Sequence, residues 1–165
     1  MAELKRSWYG NNSIYPEHAG FPVRQVYLWF LTRDGMVVVV ENKSNGIQLP
    51  GGKPEGAENP QQTLQRELQE ECGIELEKFV STPQMIGYYL MENDPVWPDS
   101  PVYLQLRYLL KVDSGSLEIG LQVNEAGDGQ DNVRLAKFVR IKSLTDHIPY
   151  MYDLAEYKIA LGLSY

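Results

Sequence analysis

Gly52-Lys-Pro-Glu-Gly-Ala-Glu-Asn-Pro-Gln-Gln-Thr-Leu-Gln-Arg-Glu-Leu-Gln-Glu-Glu-Cys-Gly-Ile74 joins a glycine loop to a helix rich in acids, and the rest of the chain is read outward from it. Asn59 suits an N-cap, Pro60 the first helical position and Gln62 the reciprocal capping position, while Gly73 is placed to end the helix in the left-handed region. The expected helix therefore runs from about Pro60 to Cys72. Leu64, Leu68 and Cys72 recur at a spacing of four and form an apolar stripe to dock on a sheet. Glu67, Glu70 and Glu71 stand at i, i+3 and i+4, on one face about a quarter-turn from that stripe. Like charges so close cost helix stability, and hard-oxygen cations such as Mg²⁺ are their natural partners. A solvated acidic helix face is the competing reading, and spacing alone leaves both open.

Upstream, Val23 to Thr32 is β-branched and aromatic, and Asp34-Gly35 gives a two-residue hairpin signal into a strand from Met36 to Asn42. The unbroken Val37–Val40 run predicts a strand covered on both faces, hence a sheet between helices. A short strand, Ile47-Gln48-Leu49, leads into Pro50-Gly51-Gly52, where glycines permit backbone conformations and close approaches that a Cβ forbids. Residues 1–22, broken by glycine, asparagine and proline, read as an irregular arm or short edge strand packed through Trp8 and Tyr9; a lid or a homodimer contact is the alternative.

Downstream, Gln84 to Met91 reads as a strand. Val102 to Val112 alternates, with Val102, Leu104, Leu106, Tyr108 and Leu110 on one face and Tyr103, Gln105, Arg107 and Lys111 on the other. The polar face could look into a cleft, making Arg107 a candidate phosphate ligand alongside a salt-bridge role, and Arg24 a further one. Trp97, in the loop from Glu92 to Pro101, is a candidate aromatic face for a base or an ordinary packing residue. Val133 to Ile141 reads as another strand, and Tyr150, Leu154, Tyr157 and Leu161 predict a C-terminal helix on the second face. His18 and His147 lack a metal-ligand pattern, and Cys72 reads as a small apolar residue.

The 165 residues suit one domain, and 43% hydrophobic with 22% charged residues is an ordinary globular composition. No apolar run reaches membrane or signal-peptide length, and the single cysteine fits a reducing cytosol, so a cytoplasmic protein is expected. A net charge of −7 argues against a nucleic-acid binder. A small anionic substrate requires placed cations or metal ions on some of the surplus carboxylates.

Gly52, five residues, Glu58, seven residues and then Arg66-Glu67-Leu68-Gln69-Glu70-Glu71-Cys72-Gly73-Ile74 resembles the signature of the Nudix hydrolase family at every specified position. Seven positions have fixed identity; at about 7% per residue, chance agreement is on the order of 10⁻⁸ per starting point. The resemblance implies an α/β class fold, an α/β/α sandwich around a mixed sheet, and hydrolysis of a diphosphate linkage in a nucleoside diphosphate derivative with Mg²⁺ or Mn²⁺. It implies Glu67, Glu70 and Glu71 as metal ligands, the Gly51 carbonyl as a further one, and Glu58 as a partner of Arg66 or an outer carboxylate, the pair bracing a loop that Gly52 and Gly73 shape.

A carboxylate near the metal takes the water proton. The resemblance implies a base either on the box helix, as Glu70 or Glu71, or on a loop after the later strands, here the Asp113–Asn132 loop. The loop holds Glu118, Glu125, Asp128 and Asp131, of which Glu125 is the candidate. Nucleoside triphosphates, nucleotide sugars or ADP-ribose, and dinucleoside polyphosphates all satisfy the same signature. The intact acids favour an enzyme over the alternative, an inert Nudix-fold nucleotide-binding or regulatory module.

Overall fold

The computed structural model describes residues 2–42, 46–113, 133–148 and 155–162. Its strands are β1 (Lys5–Tyr9), β2 (Val23–Thr32), β3 (Met36–Asn42), β4 (Gly46–Gln48), β5 (Gly51–Gly52), β6 (Gln84–Glu92), β7 (Val102–Val112) and β8 (Val133–Arg140); its helices are α1 (Pro60–Cys72), α2 (Leu144–His147) and α3 (Ala155–Ala160). One mixed sheet runs β1-β6-β7-β2-β3-β4, with β8 on β3 and β5 on β2. β2 and β7 are parallel, and the other pairings are antiparallel.

Period-two alternation in β2 and β7 divides the core. Val26, Leu28 and Phe30 with Leu104, Leu106 and Leu110 pack under Leu64, Leu68 and Cys72 of α1. Trp29 and Leu31 face the other way, against Leu144, Ile148, Tyr157 and Ala160 around α2 and α3. Helices thus cover both faces, and Val37 to Val40 is fully buried, alternate residues serving each side. The C-terminal helix is described from Ala155; Tyr150 and Leu154 of its expected stripe lie outside the described residues, and the short α2 precedes it. The N-terminal arm contributes an edge strand: β1 pairs with β6 from Lys5 opposite Glu92 to Tyr9 opposite Tyr88.

The β2–β3 connection differs from the expected two-residue loop. Arg33, Asp34 and Gly35 lie between the strands, the Gly35 N–H donates to the Thr32 carbonyl at 3.0 Å, and Gly35 takes a φ of 86°, so the glycine occupies the left-handed position of a three-residue turn. Beyond this turn β2 and β3 share one registered pair, Leu31 with Val37. The wedge between them is filled from the next segment: β4 adds to β3, and β5 adds to β2 through Val26 with Gly52 and Tyr27 with Gly51. The glycine loop is thereby stitched to the middle of the sheet.

Candidate active site

α1 begins where its sequence specifies. The Asn59 side chain accepts from Gln62 N, the Gln62 side chain accepts from Asn59 N, and Gly73 closes the helix with a φ of 65°. Packing of Leu64 and Leu68 fixes the rotation of the helix, which brings its acids to the seam beside β5. Glu67 and Glu71 are buried, whereas the Glu70 side chain is 43% exposed.

Two contacts lock the glycines to these acids. Gly51 N–H donates to Glu71 Oε2 at 2.9 Å. A Cβ on Gly52 would stand 2.2 Å from Glu67 Oε1, so the carboxylate occupies the room that a side chain would take. Gly51 itself, at a φ of 138°, lies so close to β2 that its Cβ would meet the Val26 carbonyl oxygen at 2.2 Å.

Arg66 ties the loop to the helix. Its Nε donates to Glu58 Oε1 at 2.8 Å and its Nη2 to Glu58 Oε2 at 3.1 Å, the two-point geometry of a strong guanidinium–carboxylate pair. Nη2 also donates to the Lys53 carbonyl at 2.9 Å, and Nη1 reaches Glu67 Oε1 at 3.0 Å and Glu70 Oε2 at 3.3 Å. Glu58 further accepts from Thr63 Oγ1 and Glu55 N. The Arg66 guanidinium, with those added donors, lowers the Glu58 carboxyl to about 2, and the same pairing raises Arg66. Burial pushes the Cys72 thiol far up, in keeping with an inert core residue.

The donor set of Glu67, Glu70 and Glu71, hard oxygens around a loop without side-chain bulk, fits a divalent cation. Among the described residues, no group of three His, Cys, Asp or Glu side chains is already drawn together around one point. Glu67 and Glu70 share the Arg66 guanidinium instead, and Glu71 holds the loop N–H.

On the α2–α3 face, Arg107 is buried and its guanidinium lies over the rings of Tyr27 at 4.7 Å and Tyr89 at 5.1 Å. Its Nε is 2.8 Å from Glu156 Oε2 on α3, an ionic contact in which the N–H is not aimed at the oxygen. Glu156 also accepts from Trp29 Nε1 at 3.0 Å and Tyr89 O–H at 3.4 Å, while Arg107 Nη2 donates to Gln105 Oε1. Burial, then the Glu156 charge, raises the Tyr89 phenol. The structure thus engages Arg107 with the C-terminal helix; Glu156 is a partner that the alternation of β7 could not reveal. Trp97 comes instead to the glycine loop, with Lys53 Nζ 5.8 Å from its ring centroid. Glu118, Glu125, Asp128 and Asp131 lie outside the described residues.

The model of the NUDIX domain matches residues 22–155, and the chain belongs to the Nudix hydrolase family. No curated protein matches the sequence. Among solved structures, the NUDIX domain of Shewanella oneidensis NrtR, complexed with ADP ribose, is similar at 15% identity over 87% of this chain and 92% of that one, with a TM-score of 0.58. The C. elegans Ap4A hydrolase is similar at 13% identity over 86% and 97%, with a TM-score of 0.56. The Bacillus subtilis pyrophosphohydrolase BsRppH is similar at 15% over 81% and 72%, with a TM-score of 0.53. These similarities establish the fold. Among the described residues no helix is long and apolar enough to cross a membrane.

Proposed function

We propose that the chain hydrolyses a diphosphate bond in a nucleoside diphosphate derivative, using Mg²⁺ or Mn²⁺ held by Glu67, Glu70, Glu71 and the Gly51 carbonyl. The observation that carries this reading is the meeting of Glu67 with Gly52 and of Glu71 with Gly51: two buried acids are held against a loop that no side chain obstructs. A bound cation supplies positive charge for the phosphate oxygens and acidity for the attacking water. Arg66 holds Glu67 and Glu70 side by side through its Nη1, and Glu58 fixes Arg66 in turn. Glu70, the most exposed of the three, is the helix's candidate to take the proton from water, with Glu125 the candidate from the 114–132 segment.

Incubation with Mg²⁺ or Mn²⁺ and a panel of nucleoside triphosphates, nucleotide sugars, ADP-ribose and dinucleoside polyphosphates should give mononucleotide and a phosphorylated remainder, or diphosphate from a triphosphate. Chelation should abolish the products. Inactivity across the panel with metal bound sinks the proposal.

A further inference from the structure

We propose that Arg24, Lys53 and Trp97 form an anion-binding subsite beside the carboxylate loop, selecting substrates whose polyphosphate chain has three or more phosphates over those with two. The inference rests on the hydrolase reading above and names its substrate class. Its starting point is an imbalance of charge. The chain carries 22 acids against 15 Lys and Arg, yet two cations from separate elements converge on one indole: Arg24 Cζ lies 5.3 Å and Lys53 Nζ 5.8 Å from the Trp97 ring centroid. Among the described residues no carboxylate comes within ion-pair distance of either. Asp94, in the same loop as Trp97, is taken by the Tyr103 hydroxyl and the Val96 N–H.

The fold constructs this convergence. Register against β7 shifts between Val23 and Gln25, leaving Arg24 as the extra residue of a bulge, the device that re-aims a side chain at a sheet edge or site. Arg24 Nε donates to Ser100 Oγ at 3.1 Å, and Ser100 is buried. Trp97 is held by its own loop, whose ends are joined by Asn93 N–H to the Pro101 carbonyl at 2.8 Å, and it packs edge-on against Tyr103 at 6.2 Å. Lys53 is anchored through its carbonyl on Arg66 and follows directly on Gly52, which abuts Glu67. An anion seated here is therefore close in the chain to the proposed metal acids while being distinct from what they bind.

The chemistry discriminates between substrates. Glu67, Glu70 and Glu71 would hold a cation whose charge serves the diphosphate being cleaved. A nucleotide sugar or ADP-ribose offers no further charge, so its remainder gains nothing from an ammonium and a guanidinium. A nucleoside triphosphate or dinucleoside polyphosphate offers another phosphate for the ammonium and the guanidinium to bind, and a base can stack on the indole.

The test measures binding to the full-length chain with Mg²⁺, using α,β-methylene analogues of ATP, of a dinucleoside tetraphosphate and of ADP-ribose, alongside kcat/KM for the hydrolysable forms. Lys53→Gln and Arg24→Gln should each raise Kd for one or both polyphosphate analogues about tenfold, equivalent to about 1.4 kcal/mol, while Kd for the ADP-ribose analogue stays within about twofold. Lys53→Arg should restore binding. The two polyphosphate arms tell which source the subsite prefers. Equal weakening of all three analogues, or no weakening, overturns the subsite; so does a Lys53→Gln variant that alters only melting temperature. Because binding is read without turnover, a chain with this selectivity but no hydrolysis refutes the enzymatic reading alone. Hydrolysis without the selectivity refutes the subsite alone.

Discussion

Alanine at Gly52 and alanine at Gly51 should do opposite things, although the residues are adjacent. At Gly52 the atoms nearest the new Cβ are those of the Glu67 carboxyl end, with Oε1 at 2.2 Å and Cδ at 2.6 Å, and the side chain can swing aside. An off-rotamer glutamate costs about 0.5–1.5 kcal/mol, offset by the roughly 0.4–1 kcal/mol gained from a stiffer unfolded chain, so folding stability should stay within about 1 kcal/mol. The displaced carboxylate, however, is one of the acids that carries the proposed chemistry. A misplacement of about 1 Å costs on the order of 100-fold in rate, or about 2.7 kcal/mol of transition-state stabilisation.

At Gly51 the obstacles are backbone, the Val26 oxygen at 2.2 Å and Tyr27 Cα at 2.8 Å, with a φ of 138° besides. Strain of about 1–3 kcal/mol and overpacking of about 1–3 kcal/mol then sum to about 2–6 kcal/mol, and the melting temperature should fall by roughly 4–24 °C. Urea titration and thermal melting read the stability, and steady-state kinetics at saturating Mg²⁺ read the activity. A fully active Gly52→Ala, or a Gly51→Ala as stable as the parent, refutes the reasoning.

Glu58 links the loop to acid stability. Its folded pKa of about 2 lies below the ordinary 4.5, so between these values the unfolded chain binds more protons and stability rises with pH. The contribution is therefore present above about pH 4.5 and lost as pH falls through about 2; Glu58→Gln should flatten that part of a stability–pH curve, and an unchanged curve contradicts the pairing with Arg66. Glu156→Leu leaves the buried Arg107 without its counter-charge and should lower stability by about 3–5 kcal/mol, whereas Glu156→Leu with Arg107→Met should recover most of it. Equal urea midpoints for the single and double variants would argue against the pair.

Local rules made the helix legible: the Asn59 and Gln62 caps, Pro60 and Gly73 fix the ends of α1, and a stripe of four-residue spacing fixes its buried side. The all-valine run of β3 likewise announced two covered faces, because an uninterrupted apolar strand has no side to leave in water. What composition concealed was pairing at a distance. Arg107 and Glu156 are brought together only when α3 closes over the sheet, and Lys53 meets Trp97 only because β5 inserts beside β2. The divergence of β2 from β3 had no sequence mark beyond Gly35, since Asp-Gly serves two- and three-residue turns alike. Gly87 is a further such position: a Cβ there would lie 2.4 Å from Trp8 Cζ2, a constraint created by β1 adding to the edge.

The most direct test of the central claim is phosphorus NMR of turnover in Mg²⁺ by the parent chain and by Glu71→Gln. The amide keeps an oxygen able to accept from Gly51 N–H, so the loop stays tethered while the negative charge is lost. The parent should split its nucleotide substrate at a diphosphate bond in a reaction that chelator stops, with Glu71→Gln folded but slower by at least about 100-fold. Equal turnover by the two proteins, or turnover untouched by chelator, contradicts catalysis at these carboxylates.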